Sequence, residues 1–196
     1  AREKEEIAVS RDMLLAKLTK AHIHIAHVSS EYSLKIIEMG KKEGINITCE
    51  ATPHHFSFSD DEILKNAYDT NFKMSPPLRE ISDVKAVRDA LKSGLIDVIA
   101  TDHAPHHTDE KIVEFDKAPF GIIGLQTLVP LTLKLVNEGV ISLERMVELT
   151  STNAAKMLNL KDKGRLAEGM LADIAVIDPK IEYVYDEKIN RSNTVP

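Results

Sequence analysis

At 196 residues, with 43% hydrophobic and 29% charged side chains, the chain has the composition of a soluble globular protein large enough to bury a real core. A formal net charge of −6 argues against a nucleic-acid surface or an anionic-membrane surface. The single Cys49 excludes a disulfide framework and suits the reducing cytoplasm, and no apolar run reaches the roughly 18 residues of a membrane span.

The chain opens at 1-AREKEE-6 in a helix-like charged run without Met, and its mixed charges read as solvated surface, as do those of 161-KDKGR-165. It ends on 190-NRSNTVP-196 with no closing element, so it is expected to be a piece of something longer. Length and β-branched content predict strands at 22-HIHIAHV-28, 45-INITCEAT-52, 70-TNFKM-74 and 95-LIDVIAT-101. Between them lie predicted helices. One runs from Glu31 to Glu43, opened by the cap 29-SSEYS-33 and stopped by Gly44; others cover 60–67 and 82–93, the last closed by Gly94. Further along, 124–138 reads as a helix interrupted by Pro130, Ser142 caps a helix to about Thr150, and 152–159 forms another. From Gly164, 164-GRLAEGMLADIAVIDP-179 loses the helical period and reads as short β structure, which places a boundary near residue 161.

Alternating strands and helices imply parallel βαβ units of an α/β fold, in which functional side chains stand at the carboxyl ends of strands. His27, the stretch from Glu50 to His55, Ser75 with Arg79, and Asp102 fall at those ends. A carboxylate ending a buried strand is costly unless paired or bound to a cation, so Asp102 is either the cap of its turn or a metal ligand able to move a proton. His27 is a candidate imidazole ligand. His22-x-His24 has the spacing of a metal pair but sits early in its strand. His54 and His55 read either as hydrogen-bonded loop histidines or as site residues, and Glu50 either as an acid supporting a ligand or as an additional ligand. The 75-SPPLR-79 turn presents Ser75 and Arg79, or is simply a stiff connection. In 119-PFGIIG-124 the glycines let backbone approach a ligand closely.

Taken in order, "HIAHVSS", "CEATPHHFSFSDDEI", "FKMSPPLR", "IATDHAPH", "EK…APFGIIGLQT" and "GRLAEGMLADIAVID" resemble the C-terminal half of bacterial and archaeal dihydroorotases, zinc enzymes of the amidohydrolase superfamily. The resemblance runs from about Glu6 to the "SNTVP" end. It implies the second half of a (β/α)8 TIM barrel over residues 1–160 and the start of a small β-sandwich over 161–196. It implies a binuclear Zn2+ centre, with His27 on one zinc and Asp102 on the other as general base and acid. His106 matches a histidine that contacts substrate, and Phe120 and Gly121 match a backbone contact to the pyrimidine ring.

Ser75 stands where these enzymes usually carry an asparagine. That serine is also the form found in dihydropyrimidinases and hydantoinases, which open similar cyclic amides. The family's His-x-His pair, its carboxylated lysine or aspartate, its strand-five histidine and the arginine and asparagine that grip the substrate carboxylate would all lie upstream of Ala1. The implied reaction interconverts dihydroorotate and N-carbamoyl-aspartate in pyrimidine synthesis in the cytoplasm. An inactive scaffold for aspartate transcarbamoylase is the alternative from another class. The isolated piece is expected to be inactive, and its open apolar strand edges leave two alternatives, a homodimer or a proteolytic remnant.

Overall fold

Three short parallel strands organise the molecule, which a computed structural model describes at residues 2–186 and 190. In chain order, α1 (Arg2–Thr19) precedes β1 (Ile23–Ile25), α2 (Glu31–Lys42) and β2 (Ile47–Ala51). Then come α3 (Pro53–Ser57), α4 (Asp61–Lys65), a 3-10 turn at Thr70–Phe72, α5 (Ile81–Ser93) and β3 (Val98–Ile99). The helices α6 (Thr108–Lys111), α7 (Leu128–Asn137) and α8 (Leu143–Val147) follow, and a π-helical turn at Glu148–Thr152 leads into α9 (Asn153–Met157).

The sheet order is β1-β2-β3, with Ile23 opposite Ile47, Ile25 opposite Cys49, and Glu50 opposite Val98. Because side chains alternate along a strand, the register divides the sheet into two faces. Ile47, Cys49 and Ala51 are buried and join Ile23 and Ile25 in the helix-covered core. His24, Thr48 and Glu50 occupy the other face, where His24 Nε2 meets Glu50 Oε2 at 3.0 Å and Thr48 Oγ1 meets His24 Nδ1 at 2.9 Å.

The helices α2 and α5 form where caps and apolar spacing predict them, whereas α3 and α6 form in stretches that read as loop. Ser30 Oγ accepts from the Ser33 N–H at 3.1 Å and starts α2, which buries Leu34, Ile36 and Ile37. In α5, Val84, Val87, Ala90 and Leu91 repeat at helical spacing, and Gly94 ends the helix at φ 86°, a left-handed conformation that glycine adopts freely. Phe56, Ile37, Leu91, Ile96, Leu135 and Leu149 fill the centre of the core and are fully buried. Cys49 lies there too, and burial pushes its thiol up to about 12.

Several expectations are corrected. The stretch 70–74 is a 3-10 turn rather than a strand, because the Asp69 carboxylate accepts from the Asn71 N–H at 2.9 Å and turns the chain. The α7 helix starts at Leu128 and contains Pro130 in its first turn, where no intrahelical N–H is required, so that proline does not interrupt it. The expected β structure over 164–179 does not form: among the described residues beyond α9 there is no strand, since extended backbone needs a partner for its hydrogen bonds. Leu166, Val176 and Val184 stand exposed in that stretch. The "SNTVP" end of the resemblance lies outside the described residues. Among those described, no helix is long and apolar enough to cross a membrane.

Candidate active site

Two residues at strand ends are held in a backbone conformation that side chains other than glycine rarely adopt. His27 has φ 40° and Asp102 has φ 46°. The other non-glycine residues with positive φ among those described, Lys20, Ala67, Tyr68 and Asn159, follow helices. Such strain costs on the order of 1–3 kcal/mol and persists only where neighbouring structure overdetermines it. Here it does: Val28 N–H bonds the Glu50 carbonyl at 2.9 Å just after His27, and Ala100 N–H bonds the Ala51 carbonyl at 3.1 Å just before Asp102. The intervening strand β2 separates the two backbones by roughly 10 Å, two strand spacings.

On the His27 side, a cleft of about 360 Å³ is lined by Glu5, His24, His27, Ser75, Pro76 and Arg79, among others. Its floor is an ion pair. Glu5 takes the N–H groups of Ser29 and Ser30 at 3.1 Å each, the Ser29 hydroxyl, and Arg79 Nη2 at 3.1 Å. Arg79 Nε donates to Ser29 Oγ at 3.0 Å, and only 7% of the arginine side chain is exposed. Burial pushes the Glu5 carboxyl up, but the hydrogen bonds from the serines outweigh it and hold the group below its ordinary range. This acid belongs to 1-AREKEE-6, whose mixed charges alone suggest solvated surface. The partners that bury it lie 24 and 74 residues away, so nothing local could have announced it.

His54 and His55 are both buried in α3. His55 Nε2 donates to the Pro76 carbonyl at 2.9 Å and Nδ1 accepts from Thr52 Oγ1 at 2.7 Å, tying α3 to the turn that carries Ser75. Burial lowers His55 to about 4 and holds His54 well below its ordinary value, so both are neutral. His27 Nδ1 and His54 Nε2 are the buried side-chain polar atoms left without a hydrogen-bond partner among the described residues.

On the Asp102 side the histidine-rich loop resolves into separate jobs. His103 Nδ1 accepts from the Gly124 N–H at 3.0 Å. His106 Nε2 donates to the Phe120 carbonyl at 3.0 Å. His107 caps α6, accepting from the Asp109 N–H while Glu110 accepts from the His107 N–H. Gly121 is required where it stands, because a Cβ there would lie 2.5 Å from the Ala104 carbonyl oxygen and 2.9 Å from the His106 ring.

The fold therefore gathers His27, Ser75 and Arg79 on one cleft, and His106, Phe120 and Gly121 on a second cluster beyond Asp102. Glu50 lies on the polar sheet face against His24, and Arg79 is engaged by Glu5 and Ser29. An imidazole nitrogen and a carboxylate suit a zinc ion, and His27 Nδ1 is a buried ring nitrogen with no hydrogen-bond partner among the described residues. Among the described residues no three His, Cys, Asp or Glu side chains stand together to hold a metal ion. His27 and Asp102 fit a metal centre as two members of a larger ligand set.

Residues 8–194 match the model of the amidohydrolase family, and the chain belongs to that family. Among curated relatives it is similar to the dihydroorotase of Geobacter metallireducens, 52% identical over 93% of this chain and 42% of that protein. The dihydroorotase of Endomicrobium trichonymphae is 46% identical over 100% of this chain and 46% of its own length. The chain thus spans under half the length of these relatives. Among solved structures, a D-hydantoinase from Bacillus sp. AR9 superposes with a TM-score of 0.91 at 27% identity, over 99% of this chain and 44% of that one. A dihydropyrimidinase from Brevibacillus agri matches with a TM-score of 0.82 at 28% identity, over 88% and 39%.

Proposed function

We propose that this chain supplies the later strands of a (β/α)8 barrel and one part of the active site of a dihydroorotase, which interconverts dihydroorotate and N-carbamoyl-aspartate. The observation that carries the reading is the pair of strained strand ends, His27 and Asp102, on neighbouring sides of one parallel sheet with Ser75 lining the cleft between turn and strand. Identity near 50% to dihydroorotases, against 27–28% to the hydantoinase and dihydropyrimidinase structures, supports that substrate over its cousins.

His27 and Asp102 would hold zinc, together with ligands from residues upstream. When bound, zinc polarises a ring carbonyl and lowers the pKa of water. Asp102 takes the proton of the attacking water and gives it to the ring nitrogen as the amide bond breaks, so the same carboxylate serves hydrolysis and, in reverse, ring closure. Asp102 stands just past the carboxyl end of β3 in a strained backbone conformation, which supports this role. His106 and the Phe120 turn hold the ring in register with Asp102.

Ser75 favours a second reading, opening of dihydropyrimidines or hydantoins. A panel of dihydroorotate, dihydrouracil and hydantoin, given to the full-length polypeptide that carries this chain, decides between them. Dihydroorotate is expected to have the highest kcat/KM, and preference for either other ring overturns the first reading. Asp102→Asn keeps an oxygen donor but removes the base, and is expected to cost about 10²–10⁴ in kcat. Undiminished turnover by that variant with zinc present refutes the proton-transfer role. Absence of turnover by the wild type on all three rings favours a catalytically silent scaffold.

A further inference from the structure

Lys111 ends α6 and is buried, yet its ammonium is fully satisfied without a carboxylate: its three protons go to the carbonyls of Thr70 at 3.1 Å, Pro119 at 3.0 Å and Gly121 at 2.9 Å. The contact is reciprocal, because Thr70 Oγ1 donates to the Lys111 carbonyl at 2.6 Å. The remaining groups of the turn are also held. Gly121 N–H bonds the Lys73 carbonyl at 2.9 Å and the Phe120 carbonyl accepts from His106. Lys73 Nζ lies 4.8 Å from the centre of the Phe120 ring and donates to the Asp116 carbonyl at 2.8 Å.

The geometry of one peptide unit then matters. The Pro119 carbonyl and the Phe120 N–H belong to the same planar unit, and the only cis peptide among the described residues is Ser75–Pro76. In a trans unit the N–H points opposite to the C=O. By drawing the Pro119 carbonyl inward, the buried ammonium turns the Phe120 N–H the other way. We propose that Lys111 is a positioning residue: it aims the Phe120 N–H as a hydrogen-bond donor for a carbonyl oxygen of the cyclic amide. This rests on the reading that the Phe120 turn faces substrate. The lysine touches no reacting atom and acts through the turn alone.

The test compares wild type with Lys111→Met in the full-length polypeptide, with two measurements. Hydrogen exchange at the Gly121 amide, read against the sheet amides of Val28 and Ala100, reports the turn without any substrate. Steady-state kinetics on dihydroorotate report its consequence. Gly121 exchange is expected to rise about tenfold or more while the sheet amides stay unchanged, as a lost set of hydrogen bonds frees the turn. KM is expected to rise about tenfold, with kcat within about twofold and zinc content unchanged, since the aimed donor binds ring and transition state alike.

Unchanged exchange overturns the fastening, and raised exchange with a wild-type KM overturns the aiming. Loss of zinc or a fall in kcat in step with kcat/KM reduces the lysine to a general structural role and also overturns the proposal. Should Lys111→Met fail to fold, Lys111→Ala prepared in ethylammonium replaces it: withdrawing the amine must raise KM and restoring it must lower KM, whereas tetramethylammonium must do neither. A wild type inactive on every cyclic amide removes the substrate reading, while the exchange comparison still decides whether Lys111 holds the turn.

Discussion

Arg79 and Lys111 are buried cations, one beside the His27 cleft and one under the Phe120 turn, and the fold satisfies them in different ways. Arg79 is met by a carboxylate, Glu5, together with the Ser29 hydroxyl. Lys111 is met by three carbonyl dipoles. The guanidinium spreads its charge over a planar fork and suits a desolvated ion pair, whereas the compact ammonium spends its three donors on three acceptors. The consequence is a difference in what fails when each is lost. Removing Arg79 strands a buried negative charge under His27, and removing Lys111 leaves only neutral carbonyls facing a gap. The His27 wall is fixed by charge, and the Phe120 wall by backbone direction.

The largest expected effect comes from breaking the charged side. Arg79→Met leaves Glu5 buried without its counter-ion and is expected to cost about 3–5 kcal/mol in urea unfolding of the full-length polypeptide. Adding Glu5→Leu to that variant should recover most of the loss, because an apolar pair of similar volume needs no desolvation. A double variant as unstable as the single one would show that the serines, not the charge, fix this wall.

Acid should strike the same wall. Burial lowers His55 from 6.5 to about 4, so the unfolded chain binds the proton more readily between those values. Stability is full above about pH 6.5 and falls as pH drops toward 4, by roughly 3 kcal/mol for a shift of this size. Glu5, held below its ordinary value, acts in the same direction at lower pH, since its contribution is lost as the carboxylate takes a proton. Melting temperatures that stay level from pH 7 to 4 would contradict the burial of His55.

The smallest of the three effects belongs to the Phe120 wall. Gly121→Ala drives a Cβ against the Ala104 carbonyl and the His106 ring, and is expected to cost about 1–3 kcal/mol, typical of overpacking. KM for the cyclic amide should rise with it, because the turn and the Ala104–His106 segment cannot both keep their places. A fully wild-type melt and KM would show that this contact yields without consequence.

Much of the architecture was legible in residue order. The Ser30 and Ser142 caps, the Gly94 stop and the apolar period of α5 are local signals, and each element formed there. Strand positions were legible for the same reason, but β1 stops at Ile25 and β3 at Ile99, short of the expected 22–28 and 95–101. The 70–74 stretch deceived because its β-branched and aromatic content competed with an Asp69 side chain that closes a turn. The 164–179 stretch has strand-like content but no partner strand among the described residues, and pairing is what makes a strand.

By itself, the sequence determined where three parallel strands lie, which residues cap helices, and that a histidine and an aspartate stand beyond the carboxyl edge of a parallel sheet. Those features depend on neighbours within a few positions. Only the tertiary structure decided that Glu5 is buried rather than solvated, that Arg79 is engaged rather than free, that His54 and His55 are neutral, and that Lys111 fastens the Phe120 turn. The physical reason is common to all four. The cost of desolvating a polar or charged group is set by whatever the fold brings beside it, and here those partners lie up to 74 residues away along the chain.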